Sequence, residues 1–196
     1  MHKDEFLHKF QLSPLGKTTK QYQLLNQDHG LIESAVLIPL IEEDNQLSVL
    51  LTKRANHLKH HGGQVCFPGG KVEQQDNSFV DTALREAQEE IGIASNTVKV
   101  LGQLHPFQTI TGFSITPIVA LIPSNVQYSI DKNEVAEIFH VPLHHFLQTD
   151  KHYTIDIQHK TGNHKVHFMP YEHYNIWGAT AAILKDLCNL VTSPSH

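Results

Sequence analysis

The chain has 196 residues, a mass of 22.1 kDa and a formal charge of −5 at pH 7. Its hydrophobic fraction of 40% is ordinary for a globular protein, which excludes an intrinsically disordered chain. No apolar run approaches the roughly 20 residues that span a bilayer, so we expect no membrane partner. The acidic balance lacks the basic footprint of a nucleic-acid binder, so we do not expect nucleic acid as a partner.

Cysteine content and the amino terminus both favour a cytoplasmic protein. Two cysteines cannot build a disulfide scaffold, and the first residues lack the apolar core of a signal peptide. No repeat, low-complexity tract or Gly/Ser linker interrupts the chain, so residues 1–196 are predicted to form a single domain. Residues 1–30 are polar and are predicted to be an N-terminal extension, with a short helix around residues 4–10.

Patterns of apolar residues predict a sheet flanked by helices. Strands are expected at residues 34–41, 47–52, 64–67, 98–104, 113–122, 137–141, 153–157 and 165–169. The tail from 176 to 191 has helical spacing, and Trp177 at its start is expected in the core. Because there are many strands and few helices, the pattern favours a mixed sheet flanked by helices.

The clearest helix lies between Ser78 and Gly92. The run Ser78-Phe79-Val80-Asp81 has the form of a capping box, with Asp in the place of the usual Glu. Gly92 can end the helix in the left-handed conformation. Apolar residues recur at helical spacing and form one stripe that can dock on a sheet, namely Val80, Ala83, Leu84, Ala87 and Ile91.

The same helix carries a cluster of carboxylates beside that stripe. At about 100° per residue, Glu86 and Glu90 lie one above the other, and Glu89 is adjacent but turned towards solvent. The like charges of these carboxylates repel one another, and a bound cation would remove that repulsion. Mg²⁺ is held by one or two carboxylates together with substrate phosphates. Arg85 can reach Glu89 one turn later and hold it. The pattern predicts Glu86, Glu89 and Glu90 as ligands of a divalent cation.

A glycine-rich turn, Phe67-Pro68-Gly69-Gly70-Lys71, is predicted before the helix. Glycine lets the backbone approach a ligand closely, so we expect Gly69 and Gly70 to contribute to substrate binding. The turn is not a Walker phosphate loop. That motif needs glycine where Val65 stands and Ser or Thr where Val72 stands.

Residues 70–93 resemble the signature of the Nudix hydrolases, G-x5-E-x7-R-E-U-x-E-E-x-G-U, in which U is aliphatic. The second half, Arg85-Glu86-Ala87-Gln88-Glu89-Glu90-Ile91-Gly92-Ile93, matches closely. In the first half Asp76 stands in place of Glu, and eight residues rather than seven separate it from Arg85. The resemblance implies an α+β fold, an α/β/α sandwich with a mixed β-sheet between helices. It also implies hydrolysis of a nucleoside diphosphate derivative with Mg²⁺ or Mn²⁺.

An upstream segment, residues 50–70, resembles the added motif of the coenzyme A pyrophosphatase branch, L-L-T-x-R-[SA]-x3-[RK]-x-H-x-G-x-[IV]-x-F-P-G-G. That branch also has an extra residue in its Nudix box. The segment contains a cationic stretch formed by Lys53, Arg54, Lys59 and His61, which the resemblance assigns to the 3′-phosphate or the diphosphate of coenzyme A. The products would be 4′-phosphopantetheine and adenosine 3′,5′-bisphosphate.

A carboxylate must help to activate the attacking water in such a reaction. Glu89, held by Arg85, is the first choice, and Glu134 and Glu137 outside the box are further candidates. Two alternatives stay open at this point. One is the same chemistry on ADP-ribose or a nucleotide sugar, and the other is a non-catalytic module that binds a nucleotide. The sequence does not decide between a monomer and a homodimer.

Overall fold

The structure, a computed structural model, describes residues 1–12, 30–159 and 162–193. Within these ranges the main sheet contains β1 (Ile32–Glu43), β2 (Gln46–Arg54), β3 (Val65–Cys66), β4 (Gly69–Lys71), β5 (Lys99–Gln103), β6 (Phe107–Gln108), β7 (Phe113–Ile122) and β8 (Val135–Pro142). A separate hairpin is formed by β9 (Tyr153–His159) and β10 (Gly162–Phe168). The helices are α1 (Lys3–Leu12), α2 (Phe79–Ile91), α3 (Leu143–Leu147) and α4 (Gly178–Thr192).

The main sheet is mixed, as the sequence predicts. Its central strand β1 runs parallel to β7, from the pair Ile32 and Phe113 to the pair Ile41 and Ile122. The other pairings found in this sheet are antiparallel, and they give the order β3–β2–β1–β7–β5. The short strands β4 and β6 pair with β1 and β7, and β8 pairs with β2.

Helices cover both faces of the sheet and complete the predicted sandwich. Side chains alternate along β1, so Leu37 packs under α2 while Ile38 points to the opposite face. On the α2 face, Ala83 and Ala87 are fully buried against the sheet. On the other face, α1, α3 and α4 share a larger core with the strands. Within the described ranges, no helix is long and apolar enough to cross a bilayer.

The predicted elements are confirmed with shifted ends. The N-terminal helix spans Lys3–Leu12 and buries Phe6 and Phe10, whereas residues 13–29 of the predicted extension lie outside the described residues. The tail helix begins at Gly178, because Ile176 is extended and its carbonyl accepts a hydrogen bond from Met169. The predicted burial of Trp177 is wrong. Its side chain lies against the β9–β10 hairpin rather than under the sheet, and the residue is 38% exposed.

Candidate active site

Helix α2 is fixed at both ends, which sets the position of its glutamates. At its start, the Ser78 hydroxyl accepts a hydrogen bond from the Asp81 N–H at 3.1 Å, as the capping box predicts. At its end, Gly92 adopts a φ of 74° and donates to the Gln88 carbonyl at 3.0 Å. A Cβ on Gly92 would lie 2.8 Å from the backbone nitrogen of Ser129, so the following loop packs where only glycine fits.

Glu90 is the most buried of the three predicted metal ligands, with 2% of its surface exposed. Its Oε2 accepts a hydrogen bond from the Gly69 N–H at 3.3 Å, and its Oε1 lies 3.8 Å from Nη1 of Arg54. The pKa of Glu90 is raised to about 8, chiefly by burial and also by the negative charges of Glu86 and Glu134, against the opposing effect of Arg54. An additional positive charge at this position would therefore be stabilised.

Glu86 lies directly against β4. A Cβ on Gly70 would be 2.2 Å from Oε1 of Glu86, so glycine is what leaves room for this carboxylate. Burial raises the pKa of Glu86, although Arg85 opposes the shift by donating to Oε1 at 2.9 Å. The predicted turn at Gly69-Gly70-Lys71 is wrong in its geometry. These residues form β4, because Gly69 fits against the Ala35 backbone, where a Cβ would lie 2.4 Å from the carbonyl oxygen.

Arg85 acts as a clamp whose N–H groups are all engaged by the protein. Nε and Nη2 donate to the two carboxylate oxygens of Asp76, each at 3.0 Å. Nη1 donates to Glu86 at 2.9 Å and to Glu89 at 3.1 Å, and Nη2 also donates to the Lys71 carbonyl at 3.1 Å. Arg85 therefore ties α2 to β4 and positions two of the glutamates. The sequence predicted only its contact with Glu89.

Asp76 has a structural role, as a hydrogen-bond partner of Arg85, that the sequence did not predict. Besides Arg85, its Oδ2 accepts hydrogen bonds from the Glu73 N–H and the Thr82 hydroxyl, both at 2.9 Å. Its hydrogen bonds with Arg85 hold the pKa of Asp76 well below its usual value. The signal available in the sequence was an acidic residue in a short turn before the helix that carries Arg85.

The four cationic residues of the upstream segment do not form one surface. Arg54 points towards Glu90, as described. Lys53 precedes it on β2 and faces the opposite side of the sheet, since strand side chains alternate. Lys59 and His61 are exposed in the turn between β2 and β3, where Nδ1 of His61 is hydrogen-bonded to Gln64 at 2.9 Å.

The structure also separates the two carboxylates outside the box. Glu134 lies in the turn before β8, and its charge raises the pKa of Glu86 and Glu90, so it is on their side. A bulge at Ala136 aligns Arg54 with Val135 but Lys53 with Glu137. Glu137 is thereby turned to the other face, where it accepts a hydrogen bond from the Tyr174 hydroxyl at 2.5 Å.

Comparison with known proteins decides the family, because the NUDIX domain family matches residues 31–186. The chain belongs to the Nudix family. A NudL protein of Yersinia enterocolitica, described as an uncharacterized Nudix hydrolase, is 42% identical over 187 residues, which cover 95% of this chain and 92% of that protein. NudL of Salmonella paratyphi B is 42% identical over 184 residues, covering 94% and 92% respectively.

Solved Nudix structures share the fold. A MutT/nudix family protein from Enterococcus faecalis has a TM-score of 0.51 and 16% identity, and the match covers 95% of this chain and 73% of that one. A NUDIX hydrolase from Alicyclobacillus acidocaldarius has a TM-score of 0.50 and 16% identity, with 86% and 94% covered. At these identities the likeness shows the α/β/α fold alone.

The Nudix box of this chain fits the divalent cations that Nudix hydrolases generally use. The buried Glu90 and the partly buried Glu86 offer carboxylate oxygens, the hard ligands that Mg²⁺ and Mn²⁺ prefer. Within the part of the chain that the structure describes, no three carboxylate, imidazole or thiol groups already surround one point. Glu86 is turned towards Arg85 and Glu90 towards Gly69. A Mg²⁺ site shared with substrate phosphates needs only one or two carboxylates.

Proposed function

We propose that this Nudix hydrolase cleaves the diphosphate of coenzyme A, or of a coenzyme A derivative, to 4′-phosphopantetheine and adenosine 3′,5′-bisphosphate. The approach of Arg54 to Glu90, at 3.8 Å, carries the proposal. Arg54 belongs to the segment that resembles the coenzyme A motif, and Glu90 belongs to the Nudix box. A diphosphate that reaches the box glutamates would therefore meet a guanidinium from that segment, and guanidinium groups bind phosphate oxygens in a bidentate manner.

Each box residue has a proposed part in the reaction. Glu86 and Glu90, together with Glu89, would hold Mg²⁺ or Mn²⁺, and the bound cation would neutralise the diphosphate and favour loss of a proton from water. Arg85 keeps Glu86 and Glu89 in place through its two Nη1 hydrogen bonds. Gly70 leaves room for the Glu86 carboxylate beside β4, and Gly69 supplies the backbone N–H that orients Glu90.

Proton transfer is assigned to an accessible carboxylate. Water adds to one phosphorus, the bridging P–O bond breaks, and the bridging oxygen leaves with the other phosphate. Glu89 is the first choice to accept the proton of that water, because its side chain is 60% exposed and held by Arg85 at 3.1 Å. Glu134, on the same side of the sheet, is the second choice. Glu137 lies on the opposite face and is bound to Tyr174, which favours a positioning part for it.

The remaining cations have proposed parts in substrate recognition. Lys59 and His61 are exposed in the turn that follows Arg54, so they can reach a phosphate outside the box. We assign them to the 3′-phosphate of coenzyme A. Lys53 lies opposite Glu137 on β8, away from Arg54, and we assign it to a part of the substrate other than the diphosphate.

The first experiment is chromatography of coenzyme A incubated with the purified protein and Mg²⁺ or Mn²⁺, with EDTA as the metal-free control. We expect metal-dependent formation of adenosine 3′,5′-bisphosphate. Glu90→Gln keeps the shape of the side chain but removes its charge, so it should abolish turnover without lowering the free energy of unfolding. Cleavage at the wild-type rate in this variant would contradict the assignment.

A second experiment tests the substrate class. Dephospho-coenzyme A lacks the 3′-phosphate, so we expect a higher KM than for coenzyme A. Lys59→Gln should remove that difference while leaving the hydrolysis of dephospho-coenzyme A unchanged. Faster hydrolysis of ADP-ribose or a nucleotide sugar would overturn the coenzyme A assignment and leave the Nudix chemistry in place. No hydrolysis of any of these by folded protein would favour the nucleotide-binding module.

A further inference from the structure

The β9–β10 hairpin presents an apolar face to solvent. Among the described residues, Tyr153, Ile155 and Trp177 belong to the small set of large apolar side chains that are more than a third exposed. They lie together, because the Tyr153 ring stacks on Phe168 with a centroid distance of 4.9 Å and Phe168 stacks on Trp177 at 6.0 Å. Exposed apolar side chains scattered singly are normal, whereas a contiguous patch marks a contact surface.

The outer strand of this hairpin has an edge that no other strand covers. Strand β10 packs on α4, whereas β9 pairs with β10 and with no further strand in the described ranges. A two-stranded hairpin is at best marginally stable in water, and an exposed edge strand is a template for another strand. The side chains of β9 from Tyr153 to Asp156 are exposed, so the edge is accessible along that length.

We propose that the β9 strands of two copies of this chain pair antiparallel about a twofold axis at Ile155. The resulting homodimer would have one continuous sheet of four strands across the interface. In this register Ile155 faces its own copy, and Tyr153 faces Ile157 of the second copy on the apolar face. A twofold axis requires such self-complementary contacts, since each residue of the patch meets the same patch.

The apolar patch is complementary to itself in this register, which makes a second copy the occupant, and no like charges are opposed. Asp156 is paired with Lys165 of its own hairpin at 2.9 Å, and across the twofold axis it would meet the neutral Thr154. An axis centred on Asp156 would place two carboxylates directly opposite each other, which is destabilising. An axis centred on Thr154 would pair fewer residues of β9. An axis centred on Ile157 would pair as many residues without like charges, but it would leave Tyr153 of the apolar patch without a facing residue of β9.

The small area of the proposed interface determines the protein concentrations at which the dimer should be measured. Five facing residues span about 17 Å at ~3.4 Å per residue, which is short for an interface. Stable interfaces usually bury about 800 Å² per partner, so this dimer belongs among the weak ones, with a dissociation constant in the micromolar range. Sedimentation of the full chain should therefore cover protein concentrations from about 1 to 200 μM.

We expect a mass of twice 22.1 kDa at the highest concentration and dissociation on dilution. Ile155→Lys places two ammonium groups opposite each other and should raise the dissociation constant at least 30-fold. Ile110→Lys is the matched control, because Ile110 is 44% exposed in the turn between β6 and β7. Wild-type protein that remains monomeric at 200 μM would overturn the proposal, as would a dimer that Ile155→Lys leaves unchanged.

Disulfide trapping tests the register in protein whose fold is intact. Opposed residues of antiparallel strands have Cα atoms about 4.5–5.5 Å apart, within the reach of a disulfide. Ile155→Cys should therefore cross-link under mild oxidation, whereas Thr154→Cys, which does not face itself, should cross-link at least tenfold more slowly. Wild-type protein under the same oxidant controls for Cys66 and Cys188. Equal rates for the two variants would overturn the register.

Discussion

Gly70→Ala tests whether the tight contact between β4 and Glu86 serves the reaction rather than the fold. The new Cβ would lie 2.2 Å from Oε1 of Glu86, and since real Cβ contacts stay beyond 3.0 Å, the carboxylate must move by about 0.8 Å or more. This movement breaks the 2.9 Å hydrogen bond from Arg85. The atom displaced is the end of a flexible side chain, so the fold can absorb the change.

The expected result is a loss of activity without a comparable loss of stability. A displacement of about 1 Å in a catalytic arrangement can lower the rate about 100-fold, so kcat/KM for coenzyme A should fall by that order. The melting temperature should stay within a few degrees of the wild-type value. The loss of Glu86 as a ligand should also weaken binding of Mn²⁺, which is measured without substrate from the spin resonance signal of the free ion.

Two further alanine variants serve as controls for this experiment. A Cβ on Gly30 would have no neighbouring atom within 4 Å, so Gly30→Ala should change neither activity nor stability. Gly69→Ala places a Cβ 2.4 Å from the Ala35 carbonyl oxygen, so it should destabilise the fold itself because backbone cannot yield as a side chain does. Wild-type turnover and Mn²⁺ affinity in Gly70→Ala would refute the reasoning. A Gly70→Ala protein as unstable as Gly69→Ala would show that the contact serves the fold.

Further predictions concern the anchors of α2. Asp76→Asn should lower the free energy of unfolding at pH 7 by about 2 kcal/mol in urea titrations, because it leaves Arg85 incompletely paired. Since the native pKa of Asp76 is depressed, its stabilisation is present above the unfolded value near 4 and is lost as the pH falls below it. The difference between wild type and variant should therefore shrink towards pH 3, and a constant difference would contradict this. Gly92→Ala combines a φ of 74° with a contact of 2.8 Å to Ser129, so thermal unfolding should show a loss of about 2 kcal/mol or more. An unchanged melting temperature would show that the following loop yields.

The sequence predicted the parts of the site that depend on short-range chemistry. The caps at Ser78 and Gly92, the apolar stripe and the spacing of Glu86 and Glu90 all follow from one turn of helix, so they could be predicted without knowledge of the fold. The mixed sheet followed from the many strands and few helices, and the sandwich architecture followed from the resemblance.

Contacts between distant elements could not be predicted in this way. The pairing of Arg85 with Asp76 depends on how the turn before α2 folds back on the helix. The separation of Lys53 from Arg54 is plain once β2 is known to lie within a sheet that is covered on both faces. The exposure of Trp177 depends on the hairpin that it stacks against, which is a property of packing and not of helical spacing.

The bulge at Ala136 decides which face of the sheet the following side chains of β8 take, because it inserts one residue between Val135 and Glu137. The residue is exposed, so many side chains would fit there. Deleting it would remove the bulge and leave Val135 opposite Arg54 and Glu137 still opposite Lys53, whereas a regular strand that keeps this residue would turn Glu137 to the face of Arg54. One inserted residue thus keeps the side chains of Val135 and Glu137, which regular alternation would place on one face, on opposite faces of the sheet.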